Sequence, residues 1–290
     1  MEISRNAFIG CDCGYEEAEA VIFGAPFDST TSFRPGTRFG PSAMRTESFG
    51  IETYSPYQDK DITDFRIFDA GDIELPFGSP EKPLEMIEST AKEIIGDGKI
   101  PFLIGGEHLV TLGAVRAVSE KYGKTDIIHF DAHADLRDDY LGVKLSHACV
   151  MRRCDELDGV GKIHQFCIRS GDRSEFVYAE GNTDMNKFGF DNLSETVSLL
   201  REKNVPVYFS IDLDCLDTSV FPGTGTPEAG GVSFCELLSA IKKVAECNVV
   251  AADICELAPM LDPTGASTAA ACKVLRELLL SVLGNKKERV

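Results

Sequence analysis

The sequence predicts an α/β fold, a single domain over residues 1–290 in which one mostly parallel sheet is covered by helices on both faces. Three observations lead there. Short apolar runs suited to strands buried on both faces recur along the chain, helical patterns with apolar residues three and four apart separate several of them, and polar clusters fall where the apolar runs end. Alternation of this kind favours parallel neighbours, because each crossover has to return over a face of the sheet.

In chain order the candidate strands are AEAVIFGAPF (18–27), RIFDAG (66–71), IPFLIGG (100–106), DIIHFDA (126–132), KIHQFCI (162–168), PVYFSID (206–212) and NVVAADIC (248–255). The candidate helices are PLEMIESTAKEII (83–95), LVTLGAVRAVSEKY (109–122), NLSETVSLLREK (192–203), SFCELLSAIKKVAE (233–246) and STAAACKVLRELLLSVLG (267–284). Ser233 followed by Glu236 has the spacing of a capping box. No linker, repeat or low-complexity segment divides the chain. Two long irregular stretches, 28–43 and 214–231, are rich in Gly, Pro, Ser and Thr, and long loops of this kind in a compact domain usually carry function.

Composition narrows the possibilities. With 290 residues, 43% of them hydrophobic and 26% charged, the chain has ample material for a core. A net charge of -18 opposes nucleic acid and anionic membrane and favours small cations or metals. No apolar run approaches the roughly 18 residues of a membrane helix, and the start MEISRNAFIG has no basic region followed by an apolar core, so a cytoplasmic protein is expected. The ten cysteines are scattered through apolar segments, as at Cys149, Cys167, Cys247 and Cys272, and read as reduced core residues. No CxxC pair occurs, which argues against a cysteine-based zinc site.

The chemistry sits at the strand ends. GGEH follows IPFLI, DAHAD follows DIIHF, DLD follows VYFSI and Glu256 follows VVAADIC, so residues distant in sequence meet at the carboxyl edge of the sheet. Asp131, His133 and Asp135 alternate and share one side of an extended backbone. Asp212 and Asp214 repeat the pattern, and His108 completes a set of two imidazoles and four carboxylates. An oxygen-rich set with some imidazole suits Mn²⁺ better than structural zinc, and two converging clusters suggest two ions. Ions in a binuclear site lie about 3.5–4 Å apart, whereas residues i and i+4 of a straight strand are about 13 Å apart, so the strand must end and curl within DAHAD. His129 and His164, inside apolar strands, read as core or edge residues.

These residues are recognisable. GGEH, DAHAD and SIDLDCLD resemble the metal signatures of the ureohydrolase family, which includes arginases and agmatinases, and the likeness extends to PGTRFGP, SHACVMRR, PGTGTPEAGG and ELAPMLDPTGAST. It covers nearly the whole chain and is nearest to bacterial or archaeal agmatinases. The resemblance implies a three-layer α/β/α domain, assembly as a homo-oligomer, trimer or hexamer, and two Mn²⁺ per subunit. One ion would be bound by His108, Asp131, Asp135 and Asp212, the other by His133, Asp131, Asp212 and Asp214. Glu107 departs from the family's usual Asp in GGDH, and Thr218 stands where Pro is usual after Asp217.

The implied activity is hydrolysis of the guanidinium of a small cationic guanidino substrate, agmatine, to putrescine and urea. Two metals would acidify a shared water into the bridging hydroxide nucleophile, with Asp135 accepting the hydrogen bond that orients it. His147 is the candidate shuttle for the proton the leaving amine needs, because an unperturbed imidazole titrates near neutral pH, in preference to a cap for the helix that follows. Glu256, read alone, is a strand-end surface carboxylate; the resemblance makes it the partner of the guanidinium. Asp138 and Asp139, in the loop after DAHAD, are either a solvated acidic turn or a contact that disfavours a carboxylate tail. Other ureohydrolases, acting on guanidinobutyrate, arginine or formiminoglutamate, are the alternatives within the class. A non-catalytic metal-binding protein is the alternative outside it, and the full set of competent residues argues against that. No GxGxxG follows the first strand, which excludes a dinucleotide-binding protein.

Overall fold

In the computed structural model, which describes residues 6–289, eight strands form one large sheet in the order β4-β1-β5-β10-β9-β6-β7-β8. They are β1 (Ala20–Ala25), β4 (Ile67–Asp72), β5 (Ile100–Gly105), β6 (Thr125–Phe130), β7 (Val160–Ile168), β8 (Asp184–Lys187), β9 (Pro206–Asp212) and β10 (Asn248–Cys255). Every pairing in this sheet is parallel. A separate antiparallel hairpin joins β2 (Tyr54–Ser55) to β3 (Lys60–Asp61). The single-domain expectation over 1–290 extends to residues 1–5 and 290, which lie outside the described residues.

Alternate strand residues face two helical layers. Ala20, Ile22, Phe102, Ile104, Phe209 and Ile211 pack in a core with α1 (Gly40–Glu47), α6 (Leu193–Lys203), α7 (Phe234–Val244) and α8 (Ala266–Arg289). Val21, Phe23, Leu103 and Tyr208 pack in the other with α2 (Glu81–Gly96), α3 (Thr111–Tyr122) and α4 (Val150–Asp155), which Ala179 of α5 (Arg173–Asn182) joins. This is the expected three-layer α/β/α arrangement. Burying each such Phe or Ile stabilises the fold by roughly 1.5–3 kcal/mol relative to leaving it exposed.

The seven strands read from the apolar runs are present, with small shifts of boundary. The sequence reading did not include β8, a short polar edge strand, or the hairpin, whose strands have two residues each. The hairpin owes its place to α8: Ser55 Oγ and Gln58 Nε2 both donate to buried Glu277 at 2.7 Å. α1 starts at Gly40, inside the stretch read as irregular, and α5 was not read as a helix, though Asp172 and Glu175 form a capping box at its start. The capping box expected at Ser233 and Glu236 is present. Among the described residues no helix is long and apolar enough to cross a membrane.

The crossover order positions the site. The chain leaves β5 through α3 and returns to the sheet at β6, with β10 and β9 lying between them. The four central strands, β5, β10, β9 and β6, are the ones whose carboxyl ends carry the polar clusters, and a break in strand order of this kind is where parallel sheets form sites.

Candidate metal centre

The backbone at the strand ends takes shapes that aim side chains at one another. β6 stops at Phe130, and Asp135 adopts a left-handed φ of 53°, so DAHAD curls as the spacing of its ligands requires. Glu256, just beyond β10, also has a positive φ, 69°. After β5 the chain passes so close to the 25–28 turn that a Cβ on Gly106 would lie 2.1 Å from the carbonyl oxygen of Phe27, which only glycine permits.

Two groups of donors share Asp131. His108 Nδ1 lies 3.1 Å from Asp131 Oδ2, 3.3 Å from Asp135 Oδ2 and 3.3 Å from Asp212 Oδ2. His133 Nδ1 lies 3.0 Å from Asp214 Oδ2 and 3.5 Å from Asp131 Oδ1. All six residues expected as ligands are therefore together, and five of them are buried, His133 being partly exposed. Asp214 Oδ2, though buried, has no hydrogen-bond partner, because His133 approaches it without the alignment of a hydrogen bond.

The charge balance is what a cation site requires. Carboxylates this close cannot all ionise without cations. Burial raises the Asp131 carboxyl, but His108, His129 and His133 outweigh it and hold the group well below its ordinary range. Burial, then Asp131, push Asp135 up to about 7, and burial with Asp214 and Asp131 raises Asp212 well above the carboxylate range. Burial lowers His108 and His133, yet the surrounding carboxylates raise both above an ordinary imidazole. Without metal the cluster is compensated by protons; two divalent cations would supply the same charge. The orphaned oxygen of Asp214 and the donor set of two imidazoles and four carboxylates fit such ions.

A supporting shell fixes these groups. Ser210 Oγ donates to Asp253 Oδ1 at 2.8 Å and so accepts from His108 Nε2, also at 2.8 Å, so that Nδ1, protonated among the carboxylates here, is the nitrogen whose lone pair would face a cation. Tyr208 and Thr111 hydroxyls hold the other oxygen of Asp253. Gln165 Nε2 donates to His129 Nδ1 at 3.1 Å, so the opposite nitrogen of His129 carries the proton and donates it to Asp131 Oδ2 at 2.8 Å. His129 is thus buried as expected, but it also supports a ligand. The alternation that groups 131, 133 and 135 includes 129, and that was the available signal. Ser210 is likewise two residues before Asp212, but Asp253 and Gln165 have no comparable mark. His164, read as a core or edge residue, is buried on β7 between β6 and the edge strand β8, against Asp126 and Asp184.

A cavity of about 210 Å³ opens over His133 and Asp135, walled by His147, Ser32, Arg137, Tyr140 and Glu175. Larger grooves of about 720 and 560 Å³ lie around β8 and α6, far from this chemistry. His147 begins a 3-10 turn ahead of α4; burial and then His133 and His108 push its pKa down to about 4, so the ring is neutral at pH 7. Glu256 is buried, with Oε1 accepting the backbone N–H of His108 at 2.8 Å; burial and then Glu107 raise its pKa well above the usual range. Asp138 and Asp139 do not line the cavity. Arg153 reaches Asp138 at 3.1 Å and Gly142 N–H donates to Asp139 at 3.0 Å, in accord with a solvated turn. From that loop Arg137 faces the cavity instead, its guanidinium over the Tyr140 ring at 4.8 Å and its Nε 3.5 Å from Glu175. Sequence reasoning had no signal for choosing Arg137 over its acidic neighbours.

Comparison with known proteins agrees with this geometry. The chain is 46% identical over 281 residues to the agmatinase of Bacillus subtilis strain 168, covering 96% of each protein. It is 40% identical over 263 residues to the N(1)-aminopropylagmatine ureohydrolase of Thermococcus kodakarensis, covering 88% of each. The crystal structure of agmatine ureohydrolase of Thermoplasma volcanium superposes with a TM-score of 0.90 at 33% identity, over 99% of this chain and 98% of that one. The model of the arginase family matches residues 18–281. That span holds every strand of the large sheet and all six candidate ligands, and the protein belongs to the arginase family.

Proposed function

We propose that this protein is a binuclear-metal hydrolase that cleaves the guanidinium of agmatine to putrescine and urea. The observation that carries the reading is the pair of donor groups sharing Asp131 beneath a small cavity, with Asp214 Oδ2 unpartnered. The 46% identity with an agmatinase supports the substrate. His108, Asp131, Asp135 and Asp212 would hold one ion, and His133, Asp131, Asp212 and Asp214 the other. The predominance of oxygen donors favours Mn²⁺. Bound there, the ions supply Lewis acidity, which brings the pKa of water towards neutrality and so provides the nucleophile.

The chain's own residues do the rest. Asp135, at the floor of the cavity, accepts a hydrogen bond from the attacking water and aligns it. Glu256 pairs with the guanidinium through charge-assisted hydrogen bonds. As the carbon–nitrogen bond to the alkyl amine breaks, His147, neutral at pH 7, relays a proton from solvent to the departing nitrogen. The products are urea and a protonated diamine. On the same reading residues 1–290 form a single catalytic domain that assembles as a trimer or hexamer in the cytoplasm, and ten free cysteines support a reducing compartment.

Arg137 on the cavity wall favours a second reading, in which the free end of the substrate is a carboxylate, as in guanidinobutyrate. Urea release assayed with Mn²⁺ across agmatine, N(1)-aminopropylagmatine, guanidinobutyrate, arginine and formiminoglutamate decides between them. The expected order puts agmatine first. Faster turnover of guanidinobutyrate would move the assignment to the second reading, and undiminished activity after complete chelation would sink both.

A further inference from the structure

Glu107 is wholly buried and precedes a candidate metal ligand, yet its carboxylate does not join the metal cluster. It accepts from the Thr30 amide at 2.9 Å, from the Thr30 hydroxyl, and from the Thr31 hydroxyl at 3.2 Å. A bland explanation is that it pins a long loop. Two further contacts make it more than that. Thr30 Oγ1, whose proton goes to Glu107, accepts the backbone N–H of His147 at 3.1 Å. Two residues on, the Ser32 amide donates to His147 Nε2 at 3.3 Å, with Ser32 Oγ 3.0 Å from the same nitrogen. Since an amide only donates, Nε2 is an acceptor and the neutral ring carries its proton on Nδ1.

We propose that Glu107 is a positioning residue for His147: through Thr30 it holds the start of the turn at His147, and through the loop that ends at Ser32 it holds the imidazole against the cavity. The inference rests on the proton-relay role given to His147 above. The span from Glu107 to the loop is itself rigid. Gly106 and Glu107 amides donate to the carbonyls of Ala25 and Phe27 at 2.9 and 2.7 Å, and no side chain fits at Gly106. Beyond Ser32 the loop is braced again, by Asp28 accepting from the Gly36 amide at 2.8 Å and by Arg34 donating to the carbonyls of Thr224 and Gly225 at 3.1 and 3.3 Å. With both ends fixed, the short segment 30–32 transmits the position of the Glu107 carboxylate to the ring. Misplacing a proton donor by about 1 Å costs up to about 100-fold in rate, which sets the scale of the effect.

The test is a kinetic cycle on the metal-loaded enzyme, with urea release from agmatine as the readout. Glu107→Gln and Thr30→Val are each expected to lower kcat about 10- to 100-fold with KM and metal content unchanged, and Thr30→Ser to recover most of the loss. In a His147→Ala background neither variant should lower kcat further. Additive losses in that background, or full kcat in Thr30→Val, overturn the proposal. A readout independent of metal and turnover is the rate at which diethyl pyrocarbonate modifies His147 in the metal-free protein, read by mass spectrometry. Freed from Ser32, Nε2 should react several-fold faster in both variants, and unchanged rates also overturn the proposal. Full activity in His147→Ala alone would remove the relay role and leave this modification rate to decide the positioning.

Discussion

Two acidic clusters, one gathered on the buried Arg45 and one at the ends of β5, β6 and β9, differ in how completely the chain answers their charge. Arg45, 1% exposed, gives Nε and Nη2 to the Asp69 oxygens at 2.8–3.0 Å and Nη1 to Asp72. Asp69 also accepts the amides of Phe8 at 2.8 Å and Gly71 at 3.0 Å. Folding completes that cluster. Around His108 and His133 four carboxylates face two imidazoles, aided by His129, and one oxygen of Asp214, approached by His133, makes no hydrogen bond. What marks a binding site here is acid left unanswered by the fold.

Removing acid from each cluster should therefore have opposite consequences. Asp214→Ala is expected to lower kcat for urea release by about 10⁴-fold, equivalent to about 5 kcal/mol, with loss of bound metal by elemental analysis and no loss of metal-free stability. A variant that keeps both metal and activity would break the contrast. Asp69→Asn should do the reverse. It leaves the Arg45 guanidinium buried against a neutral amide and costs about 3 kcal/mol in urea denaturation, while the folded fraction keeps its metal. Stability within experimental error of the parent would show that Arg45 is not dependent on Asp69.

A smaller effect sharpens the comparison through pH. Asp262 accepts the amide and hydroxyl of Thr264 at 3.0 and 2.6 Å and those of Ser267 at 2.8 and 2.7 Å, and these donors, Thr264 first, hold its pKa at about 2. Asp135, raised by burial and then by Asp131, sits at about 7. Both start from 3.8. A depressed carboxylate stabilises the fold above its ordinary pKa, so the contribution of Asp262 is lost as pH falls from about 4 towards 2. A raised one binds its proton more tightly when folded, so Asp135 weakens the metal-free protein as pH rises from about 4 to about 7. Denaturation midpoints measured from about pH 3 to pH 8 should fall across that second window in chelator and stay level with Mn²⁺. A level metal-free profile would mean the cluster is not short of positive charge.

Much of this was legible in the sequence, for identifiable reasons. β5, β6, β9 and β10 are apolar runs with polar clusters at their carboxyl ends, so strand-end placement and the alternation in DAHAD and DLD picked out the candidate ligands, while Glu256 needed the family resemblance. β8 escaped because DMNK is a polar edge strand, and the hairpin because its two-residue strands are held by Glu277, more than two hundred residues away. The supporting residues were harder. Asp253 acts through Ser210 and Glu107 through Thr30, contacts created only when separate strands and loops come together. Asp138 and Asp139 drew attention by charge, but Arg153 and Gly142 occupy them, and the wall of the cavity goes to Arg137.

The interleaving of the central strands also governs when the site comes into being. β9 and β10 are the last strands to be synthesised, yet they fill the space between β5 and β6. A growing chain that has emerged as far as residue 135 already carries His108, Asp131, His133 and Asp135, on two strands whose facing edges have no partner. Open apolar edges of this sort invite mispairing, and their closure waits for contacts distant in sequence, which are slow to form. Assembly of the candidate metal site is thereby tied to translation running through residue 255, since β9 sets Asp212 beside Asp131 but only β10, between β5 and β9, brings His108 to them.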